Sequence, residues 1–215
     1  MIRIGLVGKI GSGKTFIAKC FKYPIFNADA EVKKIYRKNK KCFKRLNKKF
    51  PKNIKHFPIK KFEIKQILNK SNIKIISKIV HPFVRINLKE FEKKNKNKKF
   101  VILDIPLLIE NKLYRKSDIL VGVKTSKKII IKRLKQRGDY NKKIIDILRT
   151  QQLNIKRKLK LCDFIIENNS HKNNILKKIK IIKKKLKLCD FIIENNSGRN
   201  SILRQINQIK KKINA

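Results

Sequence analysis

Apolar positions along this chain follow two rhythms. Short unbroken runs dominated by Ile, Val, Leu and Phe occupy 2–7, 24–27, 100–105, 119–123 and 164–167. Runs of that length, rich in β-branched and aromatic residues and bounded by turn or charged residues, predict buried strands. Between them, apolar residues recur every three or four positions over 15–22, 126–137, 141–161 and 175–186, which predicts helices. Strand alternating with helix argues for a parallel α/β sheet. The span 31–99 breaks the alternation: it has helical spacing, no convincing buried strand, and prolines at 51, 58 and 82 that punctuate it. It reads as a helical insertion between the second and third core strands, projecting over the carboxyl ends of the sheet, where α/β proteins place their ligands.

One strand pattern occurs twice. Residues 158–170 and 185–197 both read K-L-K-L-C-D-F-I-I-E-N-N-S. Solenoids need three or more units, so this is a local tandem duplication of a strand and its flanks rather than a repeat architecture. Only one copy can fill an edge slot, and the first is expected to take it. Residues 188–215 are then an extra strand and helix or a poorly packed tail.

Composition narrows the class. The 215 residues include 60 Lys or Arg against 14 Asp or Glu, a formal charge of +46, yet 41% are hydrophobic, which excludes the low-apolar composition of a disordered chain. No apolar stretch approaches the roughly 18–20 residues that span a bilayer. The N-terminus lacks the pattern of a secretory signal, so a cytoplasmic location without a membrane partner is expected. The charge invites a nucleic-acid reading, but the bases are spread through every segment beside Asn and Ile, and aromatic residues, 7% of the chain, are not interleaved with them. A/T-rich codon usage accounts for Lys, Asn and Ile together, so no specific nucleic-acid partner is expected, although the field can steer small anions toward the protein. Cys20, Cys42, Cys162 and Cys189 show no C-x-x-C spacing, and neither a zinc site nor a disulfide framework is indicated.

The candidate chemistry lies at the first strand's end. Gly8-Lys9-Ile10-Gly11-Ser12-Gly13-Lys14-Thr15 fits G-x-x-x-x-G-K-S/T in full, and it holds three of the chain's seven glycines. Glycines let successive N–H groups point inward, and the following helix N-terminus adds partial positive charge, which together make a nest for nucleotide phosphates. Lys14 is placed to bridge the β- and γ-phosphates and the Thr15 hydroxyl to ligate Mg²⁺, with the N–H groups of Gly11, Ser12, Gly13 and Phe16 completing the cradle. ATP and Mg²⁺ are thus the expected cofactors. Carboxylates are scarce enough to enumerate: Asp29 closes the second strand and Asp104 the third. Asp29 reads either as a helix cap or as a functional acid, and Asp104 is equally open.

With these residues in place the chain resembles the dephospho-CoA kinases over roughly 1–170. The resemblance rests on I-G-L-V-G-K-I-G-S-G-K-T at the start, N-A-D-A at 27–30, I-V-H-P-F-V-R at 79–85, D-I-P-L-L-I-E-N at 104–111, K-R-L-K-Q-R at 132–137 and C-D-F-I-I-E-N-N at 162–169. It implies a nucleoside-monophosphate-kinase-like P-loop fold: a parallel five-stranded sheet with helices on both faces, a helical insertion and a lid. The core would comprise 1–30 and 100–187, with the lid about 137–153 and the acceptor-binding insertion 31–99. The implied reaction transfers the ATP γ-phosphate to the ribose 3′-hydroxyl of 3′-dephospho-CoA, in a monomer or weak homo-oligomer.

The resemblance also implies roles for single residues. Asp29 would act as general base or orient the hydroxyl, and His81 and Arg85 would meet the acceptor's phosphates or position the insertion. Arg137 would reach the ATP phosphates or adenine, Arg133 precedes the lid, Gln152 and Lys158 match polar lid-helix positions, and Asn168 would border the adenine. Structural or solvated roles stay open for His81, Arg133 and Arg137. Three features depart from the family: Asn27 stands where Asp is frequent, Lys9 where Gly is common, and the duplication has no counterpart. The alternatives are another small-metabolite or nucleotide kinase of the superfamily, or a basic nucleic-acid-binding P-loop ATPase.

Overall fold

The computed structural model describes residues 1–136, 141–169 and 172–188. The chain separates into two compact units, Met1–Asn169 and Ser170–Ala215. The first is built on five parallel strands: β1 (Ile2–Gly8), β2 (Ile25–Asn27), β3 (Phe100–Asp104), β4 (Ile119–Lys124) and β5 (Phe164–Glu167). Their order is β2-β3-β1-β4-β5. The α/β sheet expected from the alternating pattern is therefore present, with each strand within a residue or so of its apolar run. The first copy of the duplicated block supplies β5, where Phe164 pairs with Val121 and Glu167 with Lys124. β1 and β3 are buried along nearly their whole length, as continuous apolar runs require. The chain leaves β1 toward the β2 side and leaves β3 toward the β4 side. The crevice at the carboxyl ends of these two adjacent strands is thus a topological switch point.

Four helices form most of the span between β2 and β3, after α1 (Lys14–Phe21) has joined β1 to β2: α2 (Ala28–Lys38), α3 (Lys40–Lys49), α4 (Lys61–Ile67) and α5 (Asn72–Lys94). Asn27 and Asn39 cap α2 and α3, each side chain accepting a backbone N–H in the first turn. The expectation that Pro82 punctuates this region is corrected: it lies inside α5, which continues for twelve residues beyond it. The lost backbone hydrogen bond is offset by the burial of Val80, Phe83, Val84 and Leu88 around it. These side chains share one apolar cluster with Val7, Phe26, Leu103 and Leu108 of the sheet region and with Ile35 and Leu46 of α2 and α3. The insertion is therefore packed on the sheet by a common core. At the opposite end of β1, buried Arg3 pairs with Asp118, which precedes β4, and with Glu92 of α5, at 2.6 Å.

After β4 come α6 (Lys127–Lys135), α7 (Lys142–Thr150) and α8 (Ile155–Lys160). The continuous helical pattern expected over 141–161 is divided, because Asn154 turns its side chain to cap α8 through Lys156 N. In the second unit α9 (Lys172–Leu188) carries buried Ile175, Ile179, Ile182 and Leu186 at four-three-four spacing, one face of a helix. Arg137, the start of the expected lid and most of the second duplicated block lie outside the described residues.

Candidate active site

The phosphate loop bends between β1 and α1 with Gly11 at φ 81° and Gly13 at φ 91°, left-handed values that side-chain-bearing residues rarely adopt. It is braced from behind. The Ser12 carbonyl accepts from Asn168 Nδ2 at 2.8 Å, from Thr125 Oγ1 at 2.9 Å and from Arg133 Nη1 at 3.3 Å. Arg133 Nη2 also bonds the carbonyl and side-chain oxygen of Asn168, at 3.1 and 3.2 Å. Asn168 is buried beneath the loop, and a Cβ on Gly13 would lie 2.2 Å from its amide nitrogen. Asn168 and Arg133 thus set the loop's shape from the far side. The buried hydroxyl of Ser12 has no hydrogen-bond partner among the described residues.

Lys14 curls over the loop, its ammonium donating to the carbonyls of Gly8 at 3.0 Å and Lys9 at 3.1 Å. Burial pushes it down to about 8; Asp104, Asp29 and Glu110 oppose that drop, and Lys158 adds to it. These groups therefore share one electrostatic neighbourhood. Asp104, buried at the end of β3, accepts from the Thr15 hydroxyl at 2.6 Å and from Asn27 Nδ2 at 2.7 Å through the same carboxylate oxygen. The register explains the meeting, since Asn27 is the pairing partner of Asp104 in neighbouring strands. Asn27 has a second task, because its side-chain oxygen caps α2 through Ala30 N at 2.8 Å. That cap fixes the first turn of α2, which carries Asp29.

Asp29 opens onto a cavity of about 500 Å³ bounded by the phosphate loop, α2, α5 and α7. His81 and Arg85 line it one helical turn apart on α5. Burial and then the charge of Arg85 push His81 below the usual imidazole range, so His81 is neutral near pH 7 and Arg85 supplies the positive charge. The rest of the wall is largely apolar, with Ile76, Val80 and Val84 on α5 facing Ile144, Ile145 and Leu148 of α7.

One carboxylate was given no role by the sequence reading. Glu110 accepts from Lys158 Nζ at 2.8 Å and from Leu153 N at 3.0 Å, and the Glu110 and Lys158 side chains are only 9% and 2% exposed. Gln152 lies alongside, accepting from Ile10 N and donating to the Pro106 carbonyl, both at 3.3 Å. The signal was available in the sequence: an acid in a chain with 14 of them, at the end of a motif that follows the third strand.

A glycine loop gripping the start of a helix, a threonine in that helix's first turn bonded to an aspartate at the end of the neighbouring strand β3, and a helical insertion roofing a cavity beside them define a P-loop kinase. The comparisons specify which. The dephospho-CoA kinase family model matches residues 2–174. A dephospho-CoA kinase of Wolbachia from Brugia malayi is 33% identical over 186 residues, covering 83% of this chain and 95% of the relative. That of Bartonella quintana is 30% identical, covering 82% and 93%. Among solved structures, TT1252 from Thermus thermophilus is 25% identical with a TM-score of 0.69 and covers 86% of this chain and 97% of its own. Dephospho-CoA kinase from Campylobacter jejuni, 22% identical with a TM-score of 0.58 and 86% of this chain covered, shares the fold. The chain belongs to the dephospho-CoA kinase family, and it is an ATP-dependent phosphotransferase of coenzyme A biosynthesis. Among the described residues no helix is long and apolar enough to cross a membrane.

Proposed function

We propose that the phosphate loop holds ATP, that the cavity takes 3′-dephospho-CoA, and that Asp29 receives or orients the ribose 3′-hydroxyl during transfer. The observation that carries this is that Asp29, Ile10 of the phosphate loop, His81 and Arg85 all line one cavity. Arg85 would meet an acceptor phosphate with its planar fork, and neutral His81 would offer a hydrogen bond. Lys14, whose ammonium rests on the loop carbonyls of Gly8 and Lys9, would turn from them to the β- and γ-phosphates. Arg137 is expected to reach the same phosphates, with 137–153 as lid and 31–99 as acceptor domain; Asn168 braces the nucleotide's cradle. The work is cytoplasmic, in a monomer or weak homo-oligomer.

The residues present suit magnesium. Thr15 Oγ1 and Asp104 Oδ2 are hard oxygen donors side by side. Among the described residues no group of three acids, histidines or cysteines forms a closed cage. Mg²⁺ characteristically takes one or two protein oxygens and completes its shell with phosphate and water. Bound there, the ion would neutralise charge on the phosphates.

Purified protein with Mg²⁺-ATP and dephospho-CoA should yield ADP and coenzyme A. Asp29→Asn should lower kcat by about two to four orders of magnitude with ATP binding retained, the range expected for a positioned acid–base group. Transfer to a nucleoside monophosphate in preference to dephospho-CoA would overturn the acceptor assignment.

A further inference from the structure

No residue of α7 is buried, although its Ile144, Ile145 and Leu148 face the cavity. Packing of the helix itself therefore does little to hold α7 in place, and its position depends on how its ends are tied. At its carboxyl end four hydrogen bonds converge within seven residues. Gln152 accepts from Ile10 of the phosphate loop and donates to Pro106 after β3, while Leu153 N and Lys158 Nζ both reach one oxygen of Glu110.

Two features set this cluster apart from ordinary surface bonding. The first is its energetics. Withdrawing a lysine and a glutamate from water is costly, and the attraction between them only roughly offsets it, so a buried pair is a poor source of stability compared with apolar packing. What such a pair does supply is geometry, because neither partner can leave the other without stranding a buried charge. The second is its place. Lys158 and Glu110 both lie in the electrostatic neighbourhood of Lys14, with opposite effects on it. Paired, they tie down the chain there without adding net charge beside the phosphates.

We propose that Gln152 and the Glu110–Lys158 pair are positioning residues for phosphoryl transfer, fixing the register in which α7 roofs the cavity by rooting it on the phosphate loop and the end of β3. This rests on the reading of 137–153 as a lid. In productive transfer the bond between the γ-phosphorus and the β–γ bridging oxygen breaks, a bond to the acceptor oxygen forms, the acceptor's proton passes to the Asp29 carboxylate, and ADP leaves with the bridging oxygen. If the roof sits out of register, water takes the acceptor's place, and ADP and inorganic phosphate result.

The test uses the full chain. Glu110→Gln, Lys158→Met, Gln152→Ala and the apolar pair Glu110→Leu with Lys158→Met are compared for thermal midpoint, kcat, KM for both substrates, and inorganic phosphate released per molecule transferred. Every variant is expected to lose about ten- to a hundredfold in kcat, the cost of a small misplacement. Phosphate release per transfer should rise severalfold, with the KM for ATP little changed. The apolar pair should melt near the wild type, because it strands no charge. Wild-type partition between transfer and hydrolysis in that well-folded double variant would overturn the proposal, showing the pair to be structural. Failure of the wild type on dephospho-CoA would instead overturn the acceptor assignment, and the partition ratio on whichever hydroxyl is phosphorylated would still decide the roles of Glu110, Lys158 and Gln152.

Discussion

Replacing Gly13 by alanine tests how the phosphate loop is held. The residue sits at φ 91°, and a Cβ there would approach Asn168 Nδ2 to 2.2 Å and Arg133 Nη1 to 3.3 Å. The left-handed backbone alone costs a non-glycine residue about 1–2 kcal/mol. The clash must then be relieved by moving the buried Asn168 amide, which breaks its 2.8 Å bond to the Ser12 carbonyl. Leaving such a buried group unsatisfied costs about 1–3 kcal/mol. The sum is about 2–5 kcal/mol, a large share of the 5–15 kcal/mol typical of a whole fold. Chemical denaturation should register this loss, and ATP titration should show weakened binding in the protein that remains folded. Asn168→Ala removes the amide that the new methyl group strikes, so combining it with Gly13→Ala should cost less than the two single losses added together. Strict additivity, or a Gly13→Ala protein with wild-type stability and ATP affinity, would refute the view that Asn168 sets the loop from behind.

Other outcomes follow from single residues. Lys14→Ala should abolish transfer in a coupled ADP assay while leaving the far-ultraviolet dichroism intact. Asp104→Asn should raise the Mg²⁺ concentration needed for half-maximal rate, because it removes the carboxylate charge that sits against Thr15 Oγ1. Glu63 tests the insertion separately. Burial pushes its carboxyl up, but N–H groups of Lys60, Lys55 and His56 and the His56 ring more than offset this and hold it at about 2. A folded value below the unfolded one means that the stabilisation, about 3 kcal/mol, is full above pH ~4.5 and is lost as pH falls toward 2. The melting difference between wild type and Glu63→Gln should therefore shrink over that window. Deleting 188–215 should leave substantial transfer activity, since the first copy of the duplicated block already fills β5; loss of folding on that deletion would contradict this.

Much of the frame was legible because its signals are local. The apolar runs of β1, β3 and β4 and the glycine loop need only their own neighbours to be recognised. The limits came from tertiary context. Pro82 reads as a breaker in isolation, yet the shared core around Phe83 and Leu88 keeps α5 intact. The helical periodicity of 141–161 says nothing of Asn154 turning to cap a new helix. At the site, Lys14 and Thr15 are fixed by the motif, whereas Asn27 and Asp104 meet only through strand register, 77 residues apart. Glu110 was the hardest to read, for its partners Leu153, between α7 and α8, and Lys158, in α8, come from segments that no local pattern connects to β3.

The net charge of +46 takes on a different meaning beside these contacts. In a chain so rich in lysine, almost any carboxylate can find a cation on the surface, where such pairs contribute little. Several acids lie in places where a surface cation would not do. Asp104 accepts a hydroxyl and an amide, Glu63 gathers backbone N–H groups, Asp118 fixes Arg3 and the turn at Arg115 N, and Glu110 holds the root of α7. Each joins segments distant in sequence or closes a loop that helices and strands leave open. Substituting surface lysines should accordingly shift the salt dependence of ATP and acceptor binding, through the field that steers both polyanions inward. Neutralising any one of these acids should instead disturb a defined piece of geometry, and extra salt would not restore it.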